Sequence, residues 1–215
     1  MSSEKLFEYG SLFLILIFSV VIHEIAHALT AFKLGDNTAK RLGRLTFNPI
    51  KHLDPYMSVI LPLMLIVAHS PVIFGGAKPV PVNPNNFKNP IKGMMWVALA
   101  GPVSNILIAL FSLFLFKIFF NLGLLVEYKF LNIFIINSIV INVILAVFNL
   151  FPVPPLDGSR ILTAFLPRSL AINYNKLEPY GIFIVFGLLY LNVFDYIFNP
   201  VLGNLQLLLD YVVRL

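Results

Sequence analysis

LFLILIFSVVIHEIAHAL, residues 12–29, decides how this chain must be read. Eleven apolar or small residues precede a His-Glu-x-x-His sequence, and the whole run is long enough to approach the roughly 20 residues that span a bilayer. On a helix, His23 and His27 stand at i and i+4 on one face, the arrangement of two tetrahedral zinc ligands, with Glu24 beside them as a general base. Two imidazoles and a carboxylate at membrane depth are costly, so intramembrane ionisable groups are read first as functional. The alternative is a buried polar cluster that holds no metal.

Composition agrees with a membrane location. The chain has 215 residues, 59% hydrophobic and 12% charged, with mean hydropathy +0.88. Ordinary soluble domains carry about 25% charged residues. The expectation is one intramembrane domain over 1–215, with a catalytic core at about 10–165 and C-terminal helices at about 180–215. Cysteine is absent, so a soft-metal site must use histidine and carboxylate. A net charge of +5 is explained by cytoplasmic loops rather than by nucleic acid, which is not expected as a partner.

Five apolar segments lie at roughly 11–32, 57–74, 94–120, 130–151 and 180–199, and a tail at 200–215 reads as a further interfacial or buried helix. If all five cross, the 15 Lys and Arg divide 8 against 7. If 57–74 instead dips in and returns, Lys33, Lys40, Arg41, Arg44, Lys51, Lys78, Lys88, Lys92, Arg160, Arg168 and Lys176 share one face. Only Lys5, Lys117, Lys129 and Arg214 remain on the other, which obeys the positive-inside rule.

A zinc held by two histidines needs a third protein ligand and an open fourth position. His52, His69, Asp157, Asp195 and Asp210 are available. Asp157 ends FNLFPVPPLDG (148–158), directly after an apolar helix, where three prolines break the helix. Irregular backbone at that depth must be buried in protein or line a wet cavity, which suits a ligand; a turn aspartate is the alternative.

HEIAH in an apolar helix followed by FNLFPVPPLDG resembles the site-2 protease family of intramembrane zinc metalloproteases. LGDNTAKRLGRLTFNPIKHLDP (34–55), GGAKPVPVNPNNF (75–87) and AGPVSN (100–105) are similar to its compact prokaryotic members without PDZ or CBS domains. The resemblance covers about residues 10–165. It implies zinc ligands at His23, His27 and Asp157, one Zn²⁺ per chain, and a catalytic base at Glu24. The implied activity is endopeptidase cleavage in or near transmembrane segments of substrate proteins, in regulated intramembrane proteolysis. The compact form points to a prokaryotic cell membrane, and the division of Lys and Arg places the site toward the cytoplasm. A metal transporter and a catalytically silent relative that binds membrane segments are the rival functions.

The ligands add a constraint on topology. His23 and His27 lie late in the first helix, and Asp157 follows the helix ending near 151. Both ends must lie toward one face, so an even number of crossings separates them. The fold expected is therefore all-α and polytopic, with about four to six transmembrane helices, a re-entrant segment at 57–74 and a β-like loop at 75–83 beside the active site. Both termini then lie outside unless the tail also spans.

Further site residues are expected near this centre. Asn105 and Asn149 can donate to an oxyanion or hold substrate without adding charge. Gly76 and Val80 lie in the loop expected to meet an extended substrate by strand addition. There Pro79 and Pro81 remove N–H groups from one edge and leave the other free. His52, in a basic loop, reads as solvated or interfacial, or as a residue near the site. His69, close to Ser70-Pro71, reads as structural.

Overall fold

The computed structural model describes residues 3–67 and 75–214. It is built from helices α1 (Ser3–Lys33), α2 (Thr38–Arg41), α3 (Leu61–Val67), α4 (Pro90–Asn121), α5 (Leu124–Glu127), α6 (Lys129–Asn149), α7 (Asp157–Thr163), α8 (Arg168–Asn175), α9 (Gly181–Tyr190) and α10 (Asp195–Arg214). No strand forms among the described residues. The protein is an all-α polytopic membrane protein. Among the described residues, three helices are long and apolar enough to cross a bilayer: Lys5–Lys33 within α1, α4 and α6.

These three make the bundle that carries the site. Phe13 and Phe18 of α1 and Phe111 and Phe114 of α4 remain more than half exposed, which suits lipid rather than water as the surrounding solvent. Ser11 of α1 meets Asn137 of α6 at 3.2 Å, and His27 of α1 meets Val97 of α4. His23 meets Asn105 where His27 meets Val97, and Asn105 meets Asn142 where Ser112 meets Ser138, so α4 runs against both α1 and α6, which are parallel to each other. Asn89 caps α4 by accepting from the Lys92 N–H, with Pro90 at the first helical position. Beyond the midplane, Phe116, Leu125, Ile135, Ile139 and Leu205 close the bundle with apolar packing.

The second apolar segment behaves as the charge count requires. Asp54 accepts from the Tyr56 and Met57 N–H groups and starts a π-helical turn over Pro55–Ile60 that leads into α3. Residues 68–74, and with them His69, lie outside the described residues. Even so, Gly76 N–H donates to Met57 O at 3.0 Å, Ser58 Oγ donates to Gly76 O at 2.6 Å, and Leu53 and Ala77 form an antiparallel bridge. The chain at 76 is back beside the chain at 57. A full crossing would have separated those points by about 30 Å.

The C-terminal segment differs from the expected span at 180–199. The chain breaks after α9, where Asn192 takes a left-handed backbone conformation (φ 55°). α10 then begins at Asp195, earlier than the tail expected at 200–215. α9 has ten residues, too few to cross alone. Residues 168–190 and α10 together are long and apolar enough for a broken span or a re-entrant loop, bent by 66°. Hydropathy averaged over 180–199 hides such a break, because the polar Asn192 and Asp195 are flanked by Leu191, Val193 and Phe194.

Candidate metal centre

His23 and His27 project from the last third of α1 toward α4 at the point where α4 has no side chain to oppose them. A Cβ on Gly101 would lie 2.5 Å from the His23 Cε1 and Nε2 atoms and from His27 Cε1. The two imidazoles therefore occupy space that only glycine leaves open. Asp157 reaches them from the first position of α7. Its approach depends on a tightly folded 150–157 loop. A Cβ on Gly158 would meet Leu150 O at 2.1 Å, one on Gly181 would meet Pro154 O at 2.4 Å, and Tyr174 Oη donates to Pro152 O at 2.8 Å.

Three ligand atoms converge. His23 Nε2 and His27 Nε2 are 2.9 Å apart, and Asp157 Oδ2 lies 3.1 Å and 3.3 Å from them. With metal–ligand bonds of about 2.0–2.1 Å, the edge of a zinc tetrahedron is about 3.3 Å, close to these separations. His27 Nδ1 is 2.7 Å from Val97 O, a backbone carbonyl that can only accept, so this nitrogen carries the proton. His23 Nδ1 lies 2.7 Å from Asn105 Oδ1. The Nε2 atoms thus present lone pairs to one another and to Asp157 Oδ2, which is buried and has no hydrogen-bond partner. Three acceptors facing one point fit a cation between them. Metal-binding histidines characteristically donate their outer ring N–H to an oxygen that fixes the ring, as both imidazoles do here.

Glu24 is held on the same side. Its Oε2 accepts from the Val80 backbone N–H at 2.9 Å. His23, Glu24 and His27 are each no more than 9% exposed. They border a cavity of about 590 Å³ that also reaches Gly76, Val80, Asn149 and the Arg160–Glu178 ion pair (2.8 Å). That volume is within the range of substrate pockets.

Several expected residues have other tasks. Asn105 is fully buried between α1 and α6, with its oxygen on His23 and its nitrogen on Asn142, so it is not available to an oxyanion. Asn149 reaches the cavity wall, but its Nδ2 donates to Leu145 O of its own helix at 3.0 Å. His52 is 1% exposed, which overturns the solvated reading, and it does not line the cavity. Its Nε2 bonds Thr46 O and its carbonyl accepts from the Lys78 N–H, so it backs the 75–83 loop.

The edge of that loop expected to be free is already occupied. The N–H groups of Gly76, Lys78 and Val80 go to Met57 O, His52 O and Glu24. Arg44, 6% exposed, adds a bond to Lys78 O at 2.5 Å. Two residues were missed by sequence reasoning. Asp36 is fully buried and accepts from Thr38, Asn83 and Asn86, and Asn142 is fully buried against Asn105.

The chain is similar to known zinc metalloproteases. Residues 117–191 match peptidase family M50. The chain is 41% identical over 192 residues to "Putative zinc metalloprotease YwhC" of Bacillus subtilis, covering 87% of this chain and 84% of that one. It is 30% identical to a Rip2 protein of Mycolicibacterium smegmatis over 80% of this chain and 63% of the relative. "Zinc metalloprotease MJ0392" of Methanocaldococcus jannaschii is 28% identical over 86% of this chain and 45% of its own length. No solved structure matches. With a relative aligned over most of both chains, and a His-His-Asp group assembled by membrane helices, the chain belongs to peptidase family M50, the site-2 protease type of zinc metalloprotease.

Proposed function

We propose that this protein is an intramembrane endopeptidase that hydrolyses peptide bonds in or near transmembrane segments of other membrane proteins, in regulated intramembrane proteolysis. One zinc per chain is held by His23, His27 and Asp157. The observation that carries the reading is the convergence of those three ligand atoms in a cavity that also contains the Glu24 carboxylate. Bound zinc would supply Lewis-acid polarisation and an acidified water. Glu24 acts as the base, and with Oε2 held by Val80, Oε1 is the oxygen that takes the proton and returns it to the leaving nitrogen. His23 and His27 stay neutral, their Nδ1 protons held by carbonyl oxygens.

A helical substrate hides its amides, so the segment to be cut is unwound in the cavity. Because the N–H groups at 76, 78 and 80 are engaged, a substrate strand would meet the opposite edge of the loop. There Pro79 and Pro81 offer carbonyls and no N–H, and the substrate must donate. The division of Lys and Arg supports a cytoplasmic position for the site in a prokaryotic cell membrane, with water entering from the basic loops.

The test is cleavage of a single-span substrate by the detergent-solubilised protein beside Glu24→Gln, with and without a chelator, and with bound metal counted. Cleavage that needs both Glu24 and metal supports the reading. Cleavage by Glu24→Gln rejects the assigned base, stoichiometric metal without cleavage of any membrane segment favours a silent relative, and no metal rejects the centre.

A further inference from the structure

We infer that Asn142 of α6 is a positioning residue for His23, acting through Asn105, and that this relay sets which imidazole nitrogen faces the metal. The inference rests on the metal centre proposed above. It starts at the end of the relay farthest from that centre. Asn142 Nδ2 lies 2.9 Å from Ser138 O. A backbone carbonyl can only accept, so the amide nitrogen of Asn142 must point there. Its oxygen is then left to face Asn105, and Asn105 Nδ2 donates to it at 2.9 Å. Asn105 therefore has its own oxygen toward α1, where Oδ1 sits 2.7 Å from His23 Nδ1. An amide oxygen cannot donate, so His23 donates from Nδ1, and the neutral ring that binds a metal then has its lone pair on Nε2, the atom beside Asp157 Oδ2.

Each link is directional, and the direction originates in a main-chain carbonyl two side chains away. Asn105 and Asn142 are both 0% exposed, so bulk solvent reaches neither amide. His27 needs no such relay, since its Nδ1 meets the Val97 carbonyl directly. At the corresponding point His23 faces a side chain, and a lone asparagine amide could turn over and present its NH₂ group instead. Asn142 prevents that rotation. The rival explanation is that the two amides only bind α4 to α6, as polar pairs do between membrane helices. That role would affect folding but not metal affinity or ring tautomer.

The test is a double-mutant cycle on the full chain in detergent, read by competition of zinc against a chelating dye. Asn105→Ala is expected to weaken zinc about 10- to 100-fold, the range for outer-shell partners, and Asn142→Ala about tenfold. In the Asn105→Ala background, Asn142→Ala should cost nothing further. Asn142→Leu retains volume at the helix interface and gives the same zinc readout if the alanine variant does not fold. Nitrogen-15 NMR of the metal-free wild-type chain should find His23 protonated on Nδ1, and the Asn142 variant should populate the other tautomer. This second readout needs neither zinc nor cleavage, so it separates failure of the relay from failure of the metal assignment. The proposal is overturned by an Nε2–H tautomer in the wild type. Multiplicative effects in the cycle, or unchanged zinc affinity with a lowered unfolding temperature, would also overturn it.

Discussion

The Val80 backbone N–H donates to Glu24 Oε2 at 2.9 Å, joining the proposed base on α1 to a loop 56 residues away. A carboxylate on a helix has free rotation about its side-chain bonds, and this bond fixes one oxygen. Hydrogen bonds to charged groups contribute roughly 1.5–3 kcal/mol. Val80→Pro removes the donor and should lower kcat by about tenfold or more while leaving zinc stoichiometry unchanged. Undiminished kcat would mean that Glu24 is oriented by something else.

Gly101 should tolerate no side chain. Alanine is the better helix former by about 1 kcal/mol, so Gly101→Ala does not weaken α4 itself. Its methyl group would nevertheless lie 2.5 Å from both imidazoles, which are constrained by Val97 and Asn105 and cannot simply move aside. Forcing the rings or α4 to shift costs about 1–3 kcal/mol, so the expected result is a protein that folds with lowered thermal stability and binds zinc at least tenfold more weakly. Normal zinc affinity in that variant would show that the ligands are not packed against α4.

Asp157→Ala removes one of three converging ligand atoms and should lose most of the bound metal at micromolar zinc. Full occupancy measured by metal analysis would place the third ligand elsewhere. Asp157→Asn separates charge from shape, because it keeps an oxygen in the same loop, held by Gly158 and Gly181, without the negative charge. It should retain more zinc than the alanine variant and less than the wild type.

The centre was legible because its chemistry is written in short motifs. His23, Glu24 and His27 lie on one helical turn, and Asp157 sits among prolines and a glycine whose backbone demands are local. The return of the 57–74 segment was legible from charge, since a bilayer sorts Lys and Arg by side. The tasks of Asn105, Asn142 and His52 were not, because each depends on which helix or loop lies opposite. Asn142 had one visible signal, an amide in the apolar run 133–148, where polar groups call for a partner. Nothing in that run names Asn105 as the partner. The break between α9 and α10 has a local signal in Asn192 and Asp195, but an average over the apolar stretch 180–199 smooths those two polar residues away.

Asp36 offers a test outside the membrane. Its buried carboxylate accepts from the Thr38 N–H (3.0 Å) and Oγ1 (2.5 Å), the Asn83 N–H (2.8 Å) and Asn86 Nδ2 (2.7 Å), tying the loop after α1 to the end of the 75–83 segment. Burial pushes its pKa up, but the hydrogen bonds from Thr38, Asn83 and Asn86 outweigh that and hold it below the usual 3.8. A depressed folded pKa contributes stability that is complete above the unfolded value and lost as pH falls through the folded one. The Asn83 amide should therefore be well protected from hydrogen exchange at pH 6 and lose protection below about pH 4, after correction for intrinsic rates. Asp36→Asn places an NH₂ group against donors, so its protection should be low at both pH values. Protection of Asn83 at pH 6 that is equal in the wild type and in Asp36→Asn would mean that this carboxylate does not hold the loop.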